Sequence, residues 1–331
     1  MVAIGALVGA VWVLSDILLT LFGAVLFAVL LHAVSAPLQR HLGIRWRFAL
    51  ALAGLIILAI VVATAVFLGP QLVAQMTNLF KVLPEASNRI AGYLQLGSFT
   101  DLVKDGTAAS ALGNLATRIV AWSSTVVGAL ASVLLIVFGG IYLAIDPGLY
   151  RDGLVKLVPP PLQPNARATL DDAGIALRRW LAGQLIAMVL VGIFTGLGLW
   201  LAGVPSPFAL GLIAALAEFV PIIGPIVAAV PAILIASTQD LQTVLLATAV
   251  FIVVQQVESN VIAPVIADKM VSIAPAVGLF AVVAMGVMFG PLGLLLGFPL
   301  AIVFDIAVRR LYVRDTLGER VEIMGKPAKP S

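Results

Sequence analysis

Two carboxylates stand where carboxylates are expensive. Glu218 opens the stretch EFVPIIGPIVAAVPAIL, and Glu258 lies within QQVESNVIAPVIADKM, each beside runs apolar enough for a lipid bilayer. A buried ionised carboxylate is costly unless it binds a cation, exchanges a proton or meets hydrogen-bond donors. Gln255, Gln256 and Asn260 add uncharged polar groups beside Glu258. On a helix, Gln255, Glu258 and Ile262 share one face, with Gln256 and Asn260 on an adjacent one. These residue types suit binding of a small polar molecule or cation, or proton exchange, rather than covalent chemistry. Simpler roles stay open: Glu258 as an interfacial cap or snorkelling group, and Glu218 as a structural partner of nearby backbone.

The rest of the composition narrows the choice. The chain has 331 residues, 62% hydrophobic and 11% charged, with a mean hydropathy of +1.15, against roughly 25% charged residues in soluble domains. This is the composition of an integral membrane protein. Several stretches of about 18 uncharged residues are long enough to cross as helices, and the alternating pattern of a membrane barrel is absent. There is no cysteine, and the only histidines are His32 and His41, so a metal centre or thiol nucleophile is not expected. No phosphate-binding loop or nucleophile–base set is present. Neither an enzyme nor a cofactor is expected, and energy must come from a gradient or from substrate flow. The net charge of +3 reads as a topology signal rather than a nucleic-acid footprint.

The order of segments gives a layout. Residues 1–70 hold the N-terminal transmembrane helices, with Ser15 and Asp16 expected to mark a turn between the first two and Arg40, Arg45 and Arg47 placing the next loop in the cytoplasm. Residues 71–118 change to mixed charge and read as a small extracytoplasmic helical insert. Residues 119–179 hold a span that stops at Asp146-Pro147-Gly148, then a cytoplasmic linker with five basic and four acidic residues between Asp146 and Arg179. Asp171 and Asp172 are expected to be solvated there. Trp180 and Trp200 bracket a span at interfacial depth. Residues 180–310 form the transport unit, with repeats 180–236 and 243–304, and residues 311–331 a basic cytoplasmic tail.

The repeats explain the prolines. PFALGLIAALAEFVPIIGPIVAAVP runs from Pro207 to Pro231, and PAVGLFAVVAMGVMFGPLGLLLGFP from Pro275 to Pro299. Both open and close on proline at the same spacing, and both hold a central Gly-Pro: Gly224-Pro225 and Gly290-Pro291. As one helix, residues 208–236 would span about 43 Å, too long for a core of about 30 Å. A break at each Gly-Pro turns each copy into a re-entrant hairpin, with Pro221, Pro231, Pro264 and Pro299 as further hinges. The expected fold is an all-α integral membrane protein with about 5–6 transmembrane helices plus two re-entrant hairpins arranged as inverted repeats. The alternative is about 7–8 spanning helices, two of them kinked.

EFVPIIGPIVAAVP, QVESNVIAPVI and FGPLGLLLGFPLA, with VLLHAVSAPLQRHL near the start, resemble the autoinducer-2 exporter family of bacterial membrane proteins. The resemblance covers nearly the whole chain and is weakest in the insert. It implies a polytopic, homo-oligomeric transporter of the bacterial inner membrane, of a family associated with autoinducer-2 export or sodium/proton antiport. It carries over Glu218, Pro221, Gly224, Pro225, Glu258, Asn260, Pro264, Gly290, Pro291 and Pro299; Ser259 departs from the asparagine expected there. The function read here is a secondary transporter exporting a small polar molecule such as autoinducer-2 by alternating access. Alternatives are a sodium/proton antiporter or, in another class, a membrane scaffold or receptor. The expected partners are the lipid bilayer, a small-molecule or cation substrate and further copies of the chain.

Overall fold

The computed structural model describes residues 2–60, 62, 66, 126–262 and 274–314. The insert at 71–118, the tail from 315 and Pro264 lie outside the described residues. The described chain is helical throughout: α1 (Val2–Leu42), α2 (Trp46–Ile60), α3 (Val126–Ile145), α4 (Pro147–Lys156), α5 (Gln163–Leu201), α6 (Pro207–Ala217), α7 (Ile223–Ala236), α8 (Leu241–Val257) and α9 (Pro275–Ala307). Short π-helical segments, Glu258–Ile262 and Val308–Arg314, extend α8 and α9. Among the described residues, four stretches are long and apolar enough to cross a membrane, or five counting the bent pair α3 and α4. The chain divides into two compact units: Met1–Ile57, Ser132–Leu185 and Pro264–Ser331, and Leu58–Ala131 with Ile186–Ala263.

In the first unit, α1 runs unbroken for 41 residues, correcting the turn expected at Ser15 and Asp16. Neither residue costs a helix more than about 0.7 kcal/mol, and Thr20 donates to the Asp16 carbonyl at 2.7 Å within the continuous helix. Ala28, Leu31, Leu50 and Ala144 form the buried contact among α1, α2 and α3. His32 Nε2 lies 2.9 Å from the Ala144 carbonyl. The chain then bends by 90°. Asp146 caps α4 by accepting from the Leu149 amide at 3.1 Å, and Pro147 occupies the first helical position, where no amide is needed.

The linker helix and the following span are one helix, α5, because nothing between Gln163 and Leu201 stops it. Trp180 does not sit in an aromatic belt: it is 1% exposed and stacks on Phe298 with centroids 5.7 Å apart. Trp200 is exposed. Asp171 pairs with Arg151 at 2.8 Å, Asp172 pairs with Arg310, and Asp305 pairs with Arg309 at 2.8 Å one helical turn on.

Both proline-bounded repeats are helical hairpins. In the second, within the first unit, Gly290 has φ 65° and ψ −146°, a conformation only glycine adopts without strain. The chain reverses there. A Cβ on Gly297 would lie 2.9 Å from Val282 Cα, and one on Gly278 would lie 2.6 Å from the Phe298 ring; in a straight helix those pairs would be more than about 20 Å apart. By Phe298 the outgoing arm is back at the level of Gly278, so this stretch does not cross the membrane as a straight span. In the other unit, Leu210 and Ala232 share one buried cluster and Ala214 and Ala228 another, the pairing of two antiparallel arms. Helices α6 and α7 have 11 and 14 residues, about 16 and 21 Å. Neither spans about 30 Å of hydrocarbon, so the pair enters and leaves by one side.

The reversal in this hairpin is not at Gly224-Pro225. It is at Ile222, with φ 73° and ψ −51°, closed by a hydrogen bond from the Ile223 amide to the Pro221 carbonyl at 2.9 Å. This is a γ-turn of the strained hand. Ile222 stands as far beyond Pro207 as Gly290 beyond Pro275, so the two tips coincide in register although the Gly-Pro pairs do not. Gly224 falls inside the first turn of α7, where a Cβ would lie 2.0 Å from the Ala217 carbonyl oxygen. A β-branched residue at such φ stores about 1–3 kcal/mol, comparable to the burial of a side chain that is 43% exposed. Ile222→Gly is therefore expected to hold or raise the melting temperature of the detergent-purified protein; a fall of more than about 5 °C would show that the side chain, not the backbone, sets stability there.

Candidate functional site

Four helices of the Ile186–Ala263 unit enclose a cavity of about 10 Å³, lined by Val191 and Thr195 of α5, Ala214 of α6, Pro225 of α7, and Phe251, Val254, Gln255 and Glu258 on and after α8. That is room for one water-sized group. Small residues bring the helices this close. A Cβ on Gly211 of α6 would meet the Gly192 carbonyl of α5 at 2.7 Å, and one on Gly198 would meet Val250 of α8 at 2.6 Å. Val191, Ala214, Ala228 and Val254 pack as a buried apolar cluster beside the cavity.

The polar segment after α8 divides as its helical spacing predicts. Gln255 Nε2 donates to Glu258 Oε2, and both line the cavity. Asn260 Nδ2 donates to the Gln256 side-chain oxygen at 2.8 Å and to the Gln256 carbonyl at 2.9 Å, and both are exposed away from it. Ile262 is buried. The π-helical turn at Glu258–Ile262 widens the backbone where the carboxylate sits, a deviation frequent at functional sites.

Glu218 caps the end of α6, its amide donating to the Ala214 carbonyl at 2.9 Å, and is 3% exposed. Its carboxyl is close enough to Glu258 for the charge of one to act on the other. The structure thus brings Pro225, Gln255 and Glu258 together at the cavity, with Glu218 near Glu258 and Gly224 against the Ala217–Glu218 backbone; Pro221 belongs to the hairpin turn, and Gln256 and Asn260 form a separate pair. Pro231 lies buried within α7. Gly290, Pro291 and Pro299 belong to the other hairpin.

Sequence reasoning missed Thr195. GIFTG, from Gly192, draws attention to its glycines as a packing face, and the hydroxyl between them gives no signal of its own. Beyond the hairpins, Asp240 starts α8 by accepting from the Thr243 amide at 2.7 Å, which holds its carboxyl below the usual carboxylate range.

Residues 1–312, nearly the whole chain, match the profile of the AI-2E family transporter. This chain belongs to the AI-2E family. Such a protein is a membrane transporter. The chain is 25% identical over 332 residues to YueF of Bacillus subtilis (strain 168), covering 94% of this chain and 90% of the relative. It is 24% identical over 319 residues to the AI-2 transport protein TqsA of Escherichia coli (strain K12), covering 89% and 86%. It is 27% identical over 248 residues to YrrI of Bacillus subtilis (strain 168), covering 72% and 70%.

Proposed function

We propose that this AI-2E family transporter is a secondary carrier of the bacterial inner membrane that exports a small polar molecule such as autoinducer-2. The observation that carries the reading is the cavity where Gln255 and Glu258 face Pro225 of a hairpin arm. A polar pair closed off by a short hairpin offers both a binding group and a gate, the recurring arrangement of secondary transporters. Movement of α6 and α7 would open the site to one side at a time. The carrier works as a homo-oligomer with its basic C-terminus in the cytoplasm.

A second reading, sodium/proton antiport, is favoured by the electrostatic reach between Glu218 and Glu258, since cation binding at one carboxylate would then discharge a proton from the other. One experiment separates the two. Proteoliposomes loaded with autoinducer-2 and a pH-sensitive dye are tested with and without a sodium gradient. Autoinducer-2 efflux dependent on the protein, without sodium-driven alkalinisation, is the expected result. Alkalinisation that disappears in the Glu218→Gln, Glu258→Gln double variant, with no efflux, would establish the antiporter instead.

A further inference from the structure

Thr195 breaks a pattern followed by the other described threonines. Thr20, Thr169 and Thr248 each donate to the carbonyl four residues earlier, at 2.7 to 2.8 Å, Thr238 to the carbonyl three earlier at 2.8 Å, and Thr243 bonds Asp240. Thr195 is fully buried, at 0% exposure, yet its hydroxyl has no protein partner among the described residues. It lines the same cavity as Gln255 and Glu258. A buried hydroxyl without a partner is costly, and a helical threonine has its own carbonyl within easy reach.

We propose that Thr195 is the third polar contact of the transport site, and that the cavity receives one hydroxyl group of the substrate between Thr195 and the Gln255–Glu258 pair. The proposal rests on the carrier reading above and narrows its substrate class to hydroxylated small molecules. Size and chemistry both select the group. The cavity takes one water-sized group, and its remaining walls, Val191, Ala214, Pro225, Phe251 and Val254, are apolar. Glu258 accepts from Gln255 and Ser259, and a carboxylate has about four acceptor sites, so capacity for a donor remains. A hydroxyl donates to Glu258 and accepts from Thr195, which satisfies both. An ammonium leaves the Thr195 proton without an acceptor, a carbonyl brings no proton to Glu258, and a methyl satisfies neither. A site built this way discriminates strongly against an analogue that lacks the hydroxyl.

The test uses purified full-length protein, with Thr195→Val removing the hydroxyl at nearly constant shape and Thr195→Ser keeping it. Calorimetric titration compares autoinducer-2 with analogues in which single hydroxyls are replaced by hydrogen. The wild type and Thr195→Ser are expected to bind autoinducer-2 at least about tenfold more tightly than one of these analogues, and Thr195→Val to lose that preference. Equal affinity of the wild type for all the compounds, or a preference undiminished in Thr195→Val, would overturn the proposal. Failure of the wild type to bind autoinducer-2 at all would defeat the substrate named above, and the ligand-free melting temperature then decides the role of Thr195. A value for Thr195→Val within about 3 °C of the wild type, or higher, fits a hydroxyl reserved for a ligand, and a larger fall shows a structural hydroxyl and removes the subsite.

Discussion

Gly224→Ala is expected to unfold the first hairpin or force it into another packing, with a stability loss of about 3 kcal/mol or more, the upper end for overpacking. The reason is what the new methyl meets. Its carbon would lie 2.0 Å from the Ala217 carbonyl oxygen, 2.5 Å from the carbonyl carbon and 3.0 Å from the Glu218 amide nitrogen. All three are backbone atoms, so no side chain can swing aside, and relief requires α6 and α7 to part at the turn that buries Glu218. The control is Gly174 in α5, where a Cβ would meet nothing within 4 Å; there the same change is expected to be neutral or to stabilise by about 0.5–1 kcal/mol. Melting of the two variants in detergent, read against the wild type, checks the pair. A Gly224→Ala protein as stable as the wild type would mean that the arms do not approach as described.

On the carrier function proposed above, Glu258→Gln is expected to lower the initial rate of export of the proposed substrate by about tenfold to a hundredfold at equal expression, because hydrogen bonds to a charged group contribute about 1.5–3 kcal/mol and each 1.4 kcal/mol is a factor of about ten. The substitution keeps the shape and one acceptor oxygen, so the loss reports on charge rather than on packing. Gln256→Leu is the companion variant. Among the described residues, Gln256 lies away from the cavity lining and its side chain bonds Asn260 within its own turn, so export by that variant is expected to stay within about threefold of the wild type, the loss of one exposed hydrogen bond. Equal damage in both variants would show that the whole polar segment works as one structural unit, and the distinction between its two faces would have to be abandoned.

Much of this architecture was legible in the sequence, for identifiable reasons. Proline at matched spacing and an apolar length unsuited to one span together specified hairpins, and period 3.6 placed Gln255 with Glu258 and Gln256 with Asn260. Proline and glycine were less informative about the exact tip. Gly224 satisfies a close approach between arms, which looks the same in sequence as a turn, while the actual reversal falls on an isoleucine that local preference would never nominate. Ser15, Asp16 and Trp180 misled for a related reason: each has a statistical home, at a turn or an interface, that packing overrides. Thr195 was invisible because a threonine in a membrane helix ordinarily bonds its own backbone, and only the folded arrangement reveals one that does not.

The two tips reach the same register by unequal means. Gly290 adopts its angles at no steric cost, so that loop lies at the bottom of its own well. Ile222 is held in its γ-turn by two short-range hydrogen bonds, from the Ile223 amide to the Pro221 carbonyl and from the Gly224 amide to the Val220 carbonyl, both at 2.9 Å, and its backbone stores about 1–3 kcal/mol. Two segments built on one sequence pattern therefore differ in stored energy: a motion that lets Ile222 leave its turn releases that strain, and motion at Gly290 brings no such release.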